Sequence, residues 1–338
     1  MQHKFILIPE RHSLAEIQEI RETARRVPVV ADADVVVAGG GPGGLPAAIA
    51  AARHGARVVL IERFGYLGGL ATAGLVAPIL GHTASNSRKP IVEGILKELT
   101  ERMHDLGGAP SWHDACEEWG IRFDAETFKY VADVLTADAG LCLYLHSLVT
   151  DVIVEDRRIV AFVMENKSGR QAVTGKVFVD ATGDADAAFR AGVRTRQGRE
   201  YDERVQSMGS FLHIGGVSHL SDRQRKDAEE RVGQAMEKGE LNFYAARFTG
   251  MNTIYADHFS PNMTRWSGDP TNVVDLTRAE VDVRREGWKL ILFLRANVPG
   301  CENVYIRHSS PVVGPRESRQ AIGRYIIAAE DIHQGTPA

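Results

Sequence analysis

The chain has 338 residues, 44 acidic against 40 basic side chains, and 33 glycines. Single cores stop growing near ~250–300 residues, so this length predicts two lobes, while 44% hydrophobic and 25% charged side chains exclude a disordered or fibrous chain. A net charge of −4 leaves no basic excess for a nucleic-acid binder held by bulk charge; three scattered cysteines, Cys116, Cys142 and Cys301, exclude a disulfide scaffold, a CxxC redox pair and a cysteine-rich metal site.

Residues 1–33 read as a polar lead-in with one short helix near Leu14–Arg25, and its brief apolar run Phe5–Ile8 is too short for a secretory signal. Asp34–Ala38 follows as a buried parallel strand that runs straight into Gly39–Gly44. Ala47–Arg53 is an alanine-rich helix closed by Gly55, and Arg57–Ile61 is a second strand with Glu62 at its end. Val35–Ala52 and Phe64–Ser87 carry no charge over 18 and 24 residues, long enough for a bilayer at about 20 residues. Both are crowded with glycine and also contain proline, which satisfy backbone hydrogen bonds badly in lipid, so no membrane span is expected.

Downstream, Ile91, Ile95, Leu99, Met103 and Leu106 recur at helical spacing, and Asp124–Ala139 reads as a helix capped by Asp124. Leu148–Val154, Ile159–Met164 and Gln171–Thr174 form a predicted β-meander, followed by a strand at Val177–Val179 and a helix over Ala185–Ala191. Beyond Gly192 the character shifts, which places the lobe boundary near residues 195–210. Ser221–Glu240 is a charged helix, Thr277-Arg-Ala-Glu280 is a capping box opening a helix to Ala296, and Pro315 precedes a last helix, Arg316–Ile332. There is no internal repeat.

The spacing Gly39-x-Gly41-x-x-Gly44 follows a strand, opens a helix, and has an acid, Glu62, 18 residues beyond Gly44. The first glycine makes the tight turn, the second admits a pyrophosphate to the backbone, and the third lets helix and sheet pack closely. Pro42 and Gly43 lie inside the turn, and the helix N-terminus supplies amide donors. Glu62 can accept hydrogen bonds from ribose hydroxyls and repels a 2′-phosphate. This much fits either NAD or FAD. The next segment, Arg63-Phe-Gly-Tyr-Leu-Gly68-Gly69-Leu-Ala-Thr72, distinguishes them: a nicotinamide enzyme enters another helix here, whereas paired glycines let backbone lie against a flat ring or second phosphate.

Gly39–Gly44, Glu62-Arg63 with Leu67–Thr72, Phe178-Val-Asp-Ala-Thr-Gly-Asp184 and Ser309–Arg319 together resemble the FAD-dependent oxidoreductase family over about Val29–Ile332. The resemblance implies a glutathione-reductase-type fold: an α/β flavin domain of parallel sheet, flanking helices and meander, plus a mixed α/β substrate lobe. It divides the chain into a lead-in (1–33), an FAD-binding domain (34–199), a substrate lobe (200–305) and the start of a return to the FAD domain (306–338). It also implies that Val149 touches adenine through its backbone and that Thr182, Gly183 and Asp184 line the cofactor groove. Family members return to the flavin domain after the helix at Arg316–Arg319; nothing after Gly314 here plays that part, so weak FAD affinity and an exposed apolar groove along the sheet are expected.

The implied activity is hydride transfer between flavin N5 and a small organic substrate, with non-covalent FAD, no metal, no nucleic acid, no membrane, a cytoplasmic setting, and a homo-oligomer left open. A nicotinamide-dependent dehydrogenase and a non-catalytic flavin-fold protein remain the rivals. Among 12 histidines, His82 precedes a threonine as in enzymes that attach FAD covalently, but on the wrong side of the glycine pair. His213, on an apolar strand, reads as a core residue; His258 and His308 are the better site candidates. Arg316 and Arg319 fall in the first turn of the last predicted helix, where the dipole disfavours cations, so either a bound anion or a surface pair with Glu317 or a neighbouring acid is expected. His258 and Arg316 are expected to face the flavin from the second lobe.

Overall fold

The structure is a computed structural model and describes residues 20, 22–245, 253–255, 257–326 and 328–334. Most of the helix expected over Leu14–Arg25 lies outside these residues, and 22–28 carry no regular structure. In chain order the first unit contains β1 (Val29–Ala38), α1 (Gly44–Arg53), β2 (Val58–Ile61), β3 (Ile79–Leu80), α2 (Ile95–Asp105), α3 (Trp112–Glu117), β4 (Gly120–Ile121) and α4 (Ala125–Asp138). It continues with β5 (Cys142–Tyr144), β6 (Leu148–Glu155), β7 (Arg158–Asn166), β8 (Gly169–Asp180) and α5 (Asp186–Arg190). Then follow β9 (Thr195–Gln197), β10 (Leu212–Gly215), α6 (Asp222–Glu237), β11 (His258–Phe259), α7 (Val273–Asn297), β12 (Tyr305–Ser309), β13 (Arg319–Ala321) and α8 (Ala329–Gln334).

A six-stranded sheet of order β5-β2-β1-β8-β7-β6 organises the first unit. The pairs β5·β2, β2·β1 and β1·β8 are parallel, and β8, β7 and β6 form the antiparallel meander. The chain is thus an α/β protein whose parallel strands are covered by helices on one face and pack against meander side chains and Ala187 on the other. α1 lays Leu45, Ala48 and Ile49 on the sheet with Val37 and Leu60, and α2 and α4 add Leu99, Met103, Phe128 and Leu135 to the same core. Asp124 caps α4 as its sequence predicts, its side chain accepting the Thr127 amide at 2.8 Å.

Two strands differ from their sequence patterns. β1 begins at Val29 rather than Asp34, because pairing with β8 from Ala172 onward carries the backbone through polar positions. Their side chains find partners at the rim: Thr174 donates to Asp32 (2.8 Å), and Lys176 pairs with Asp34 (2.8 Å). The segments Gln171–Thr174 and Val177–Val179 are one strand, β8. Its first half serves the meander as well as β1; residues 175–180 pair with β1 alone, leaving Val177 54% exposed on that edge among the described residues.

The second lobe packs α6 and α7 on the three-stranded antiparallel sheet β11-β10-β12, burying Leu212, Ile214, Val232, Leu290, Ile291 and Leu294. Ser221 and Gln224 make the capping box of α6. By contrast, α7 starts at Val273, capped by Asn272, which accepts the Val274 amide at 2.9 Å. The predicted capping box is therefore interior: Glu280 instead accepts the Val313 amide at 2.6 Å and pairs with Arg284. The helix predicted over Arg316–Ile332 does not form. Arg319–Ala321 pairs as β13 with β9, Ser318 and Arg319 are anchored to Asp184 and Asp186, and the only helix in that stretch among the described residues is α8. Gly323 disfavours a continuous helix there as well.

Candidate functional site

A cleft of about 540 Å³ opens at the carboxyl ends of β1, β2 and β8, where open α/β sheets place ligands. Its base is the turn between β1 and α1. Gly39 has φ +97°, and a Cβ there would stand 2.3 Å from the Ala181 oxygen; at Gly44 a Cβ would meet the Gly39 oxygen at 1.8 Å. These two glycines serve turn geometry and helix–sheet packing. Gly41, Pro42 and Gly43 line the cleft. Gly43, the N-cap of α1, makes no side-chain cap bond, so this helix end presents backbone amides.

Glu62 forms one wall. It is only 4% exposed and lines the cleft, with Oε2 accepting the Gly40 amide at 2.6 Å and Oε1 the Phe64 amide at 2.8 Å. Each carboxylate oxygen has a second lone pair for a ligand hydroxyl. Gly40 was not a sequence candidate; its amide ties the turn to the acid, and its carbonyl accepts the Gly68 amide at 2.9 Å. Arg63 lies beside Glu62 on the cleft, its guanidinium 4.7 Å from the Phe64 ring centre. Ser147, Leu148 and the Val149 expected at the adenine complete that end.

Further lining comes from later in the loop after β2. Gly69 and Leu70 line the cleft. Gly68 has φ +108° but does not line it; a Cβ there would collide with Thr72 at 2.6 Å. Thr72 is fully buried and donates its hydroxyl to Leu67 O at 2.7 Å, so it staples the loop and does not border this cleft. Thr182 and Gly183 do border it, from the turn after β8. Asp180 orders that turn by accepting the Thr182 amide (3.0 Å) and hydroxyl (2.7 Å) and the Ala188 amide (2.7 Å). Asp184 was expected in the groove; its carboxylate instead accepts the Ser318 hydroxyl at 2.6 Å, and burial pushes its carboxyl above the usual range while Ser318 pulls it down.

Arg319 enters the cleft on a strand, not on a helix. It donates to Asp184 O (3.1 Å) and the Asp186 carboxylate (2.5 Å), with its guanidinium 4.5 Å from the Phe189 ring centre. Arg316 corrects the other expectation: with no helix at 316, it is exposed and lines neither the cleft nor the cavity described next. His82 is buried, bonded through Nε2 to Ala115 O at 2.8 Å and set edge-on to Trp112, so it does not line the cleft.

A second cavity of about 290 Å³ lies where Thr72, Leu75 and the start of α4 meet β10 and β12. His213 lines it and is half-buried, not a core residue; its ring stands edge-on to that of His308, 6.0 Å between centres, on the paired strand. His258 pairs through its backbone with Gly215, and its side chain lies outside the described residues. No group of three or more His, Cys, Asp or Glu among the described residues could hold a metal, and no described helix is long and apolar enough to cross a membrane.

The βαβ turn, the buried acid at the end of β2 and the glycine-lined helix terminus define a dinucleotide-binding α/β protein. A family model described as FAD dependent oxidoreductase matches residues 34–338, and the chain belongs to that family, whose cofactor is FAD. No curated protein sequence matches the chain. Among solved structures, a triple mutant of the flavin-dependent brominase Bmp2 is similar at 22% identity over 54% of this chain and 47% of its own, TM-score 0.40. The chain thus spans about half the length of that protein. A geranylgeranyl bacteriochlorophyll reductase-like protein from Thermoplasma acidophilum is similar at 16% identity, over 84% of this chain and 66% of its own, TM-score 0.46. L-proline dehydrogenase from P. horikoshii is similar at 12%, over 88% and 83%, TM-score 0.49.

The cleft fits this cofactor. At Gly43 and Gly183 a Cβ would meet no protein atom within 4 Å, and at Gly41 only ordinary contacts from 3.6 Å. Protein packing does not demand glycine at Gly41 or Gly43, which leaves open space beside their backbone on the cleft side.

Proposed function

We propose that this protein binds FAD non-covalently in the cleft and uses it to exchange a hydride with a small organic substrate. The observation that carries the reading is the pairing of a buried carboxylate, Glu62, with the uncapped, glycine-lined N-terminus of α1 across one cleft. Glu62 would hold the adenosine ribose through its remaining lone pairs, with Ser147–Val149 against the adenine. The α1 terminus with Gly41 and Gly43 would hold the pyrophosphate, where the helix dipole favours anions. Arg63, at the cleft wall, would offset phosphate charge. Thr182 and Gly183 would border the rest of the cofactor, together with Gly69 and Leu70.

Bound FAD supplies the hydride donor or acceptor at N5; the protein supplies position and polarity. Arg316 lies away from both cavities, so the substrate-facing groups are better sought on β10 and β12, where His213 and His308 stand. The test is direct. The purified protein should be yellow or take up FAD at one equivalent, and Gly43→Ala should weaken that binding at least tenfold. A colourless protein that binds NAD in preference to FAD would overturn the reading, and loaded FAD that no donor or acceptor can reduce or reoxidise would favour a non-catalytic role.

A further inference from the structure

The second cavity belongs to neither the nucleotide cleft nor the interior of the second lobe. One loop borders both spaces: Leu70 lines the cleft, and Thr72 and Leu75, two and five residues on, line the cavity. The second lobe is fastened to that loop. Val312 donates its amide to Ala73 O at 3.3 Å, and a Cβ on Gly314 would stand 3.9 Å from Leu70 Cδ1. The cleft and the cavity therefore share this loop, and a ligand in the cavity would contact both lobes.

The polar groups that converge there are largely basic or donors. His213 and His308 present paired imidazoles from adjacent strands. Arg307 lines the same wall and is oriented by its pair with Asp257 (2.6 Å) and by the Tyr255 ring, 5.9 Å from its guanidinium carbon. The first turn of the 14-residue helix α4 borders the cavity through Ala125, bringing the positive end of the helix dipole. Two acids also line it, but both are engaged: Asp124 caps α4 by accepting the Thr127 amide and hydroxyl, and Glu126 pairs with Lys129 at 2.8 Å. Leu75 and Pro311 give apolar surface. A concave site with an apolar wall and a few convergent donors is built for a small molecule.

We propose that this cavity is the substrate site and that it takes a small organic acid, its carboxylate held by Arg307 and the His213–His308 pair and its carbon skeleton against Leu75 and Pro311. The proposal deepens the reading given above, since it places the substrate beside the cofactor that reading assigns. Arg307 suits a carboxylate because its planar donor fork can engage both oxygens. His308 touches the substrate directly under this arrangement.

The experiment titrates the FAD-loaded protein with lactate, succinate and benzoate, each against its neutral amide, with sulfate as an inorganic anion control, by calorimetry and by the flavin's visible spectrum. FAD stoichiometry is measured first, so failure to bind cofactor is seen separately, and titration of the cofactor-free protein then still tests the acid site. At least one carboxylate should bind, at least tenfold tighter than its amide and than sulfate, and should perturb the flavin spectrum. Arg307→Gln and His308→Asn should each weaken it at least tenfold with FAD affinity unchanged, and Arg307→Lys should fall between. Should Arg307→Gln fail to fold, His308→Asn and His213→Gln carry the same test. The proposal is overturned if no acid binds, if amides or sulfate bind as well, if binding leaves the flavin spectrum unmoved, or if soluble variants bind the acid as the parent does.

Discussion

Glu62 reaches back over the glycine turn to accept the Gly40 amide at 2.6 Å, while its other oxygen accepts the Phe64 amide at 2.8 Å. The acid at the end of β2 therefore holds the cleft's shape as well as facing into it. Glu62→Ala should weaken FAD binding by ~1.5–3 kcal/mol, the range for hydrogen bonds to a charged group, and should also lower the melting temperature because two amides lose their acceptor. Glu62→Gln keeps one acceptor but sets its NH2 against the other amide donor, so it should recover only part of either loss. Flavin titration with parallel thermal melts checks this; an unchanged dissociation constant for the alanine variant would remove Glu62 from the site.

Gly43 and Gly44 are neighbours with opposite expected phenotypes. A Cβ at Gly44 would fall 1.8 Å from the Gly39 oxygen, a backbone atom that cannot turn aside, whereas at Gly43, with φ −88°, it would meet nothing within 4 Å. Gly44→Ala should destabilise the fold by about 1–3 kcal/mol or more through overpacking. Gly43→Ala should melt like the parent but lose FAD affinity. Gly41→Val should lose more, since a branched side chain would fill the approach to the turn. Chemical denaturation and flavin titration of these variants separate packing from binding.

The three cysteines should differ in reactivity at pH 8. Cys142 is exposed, while burial pushes the Cys301 thiol up to about 11 and also raises that of buried Cys116. Because the thiolate is the nucleophile, one thiol should react quickly with an aromatic disulfide reagent and two only on unfolding. Two fast equivalents in the native protein would contradict the burial of Cys116 or Cys301.

Asp184 should make a pH-dependent contribution to stability. Burial raises its folded-state carboxyl above the unfolded value, so the folded state binds the proton more tightly. Stability from this group is then fully present below the unfolded value near ~4 and declines as pH rises through the folded one. Asp184→Asn can still accept the Ser318 hydroxyl, so it should melt higher than the parent at pH 7, and the difference should shrink toward pH 4. Melting curves across that interval provide the check, and a constant difference would exclude Asp184 as its source.

The local geometry of the cleft's base is legible in the residues alone. The Gly39–Gly44 turn, Glu62 and the capped helix at Asp124 are local: a few residues, each required by backbone geometry or by an unpaired helix end, specify their own structure. The sequence could not determine which side chains meet across long separations. Thr72 carries a small hydroxyl that suits a ligand, yet only the folded loop turns it onto Leu67 O. Asp184 sits in a motif beside the groove, yet Ser318, 134 residues away, draws its carboxylate aside. The local pattern around Arg316 and Arg319 favours a helix, and strand pairing with β9 overrides it, placing Arg319 in the cleft and leaving Arg316 outside it. His213 and His308 face each other only because β10 and β12 pair there, just before the register shifts at Ile214. Helix caps and tight turns are decided within a few bonds, whereas the second cavity exists only once two lobes close on the same loop.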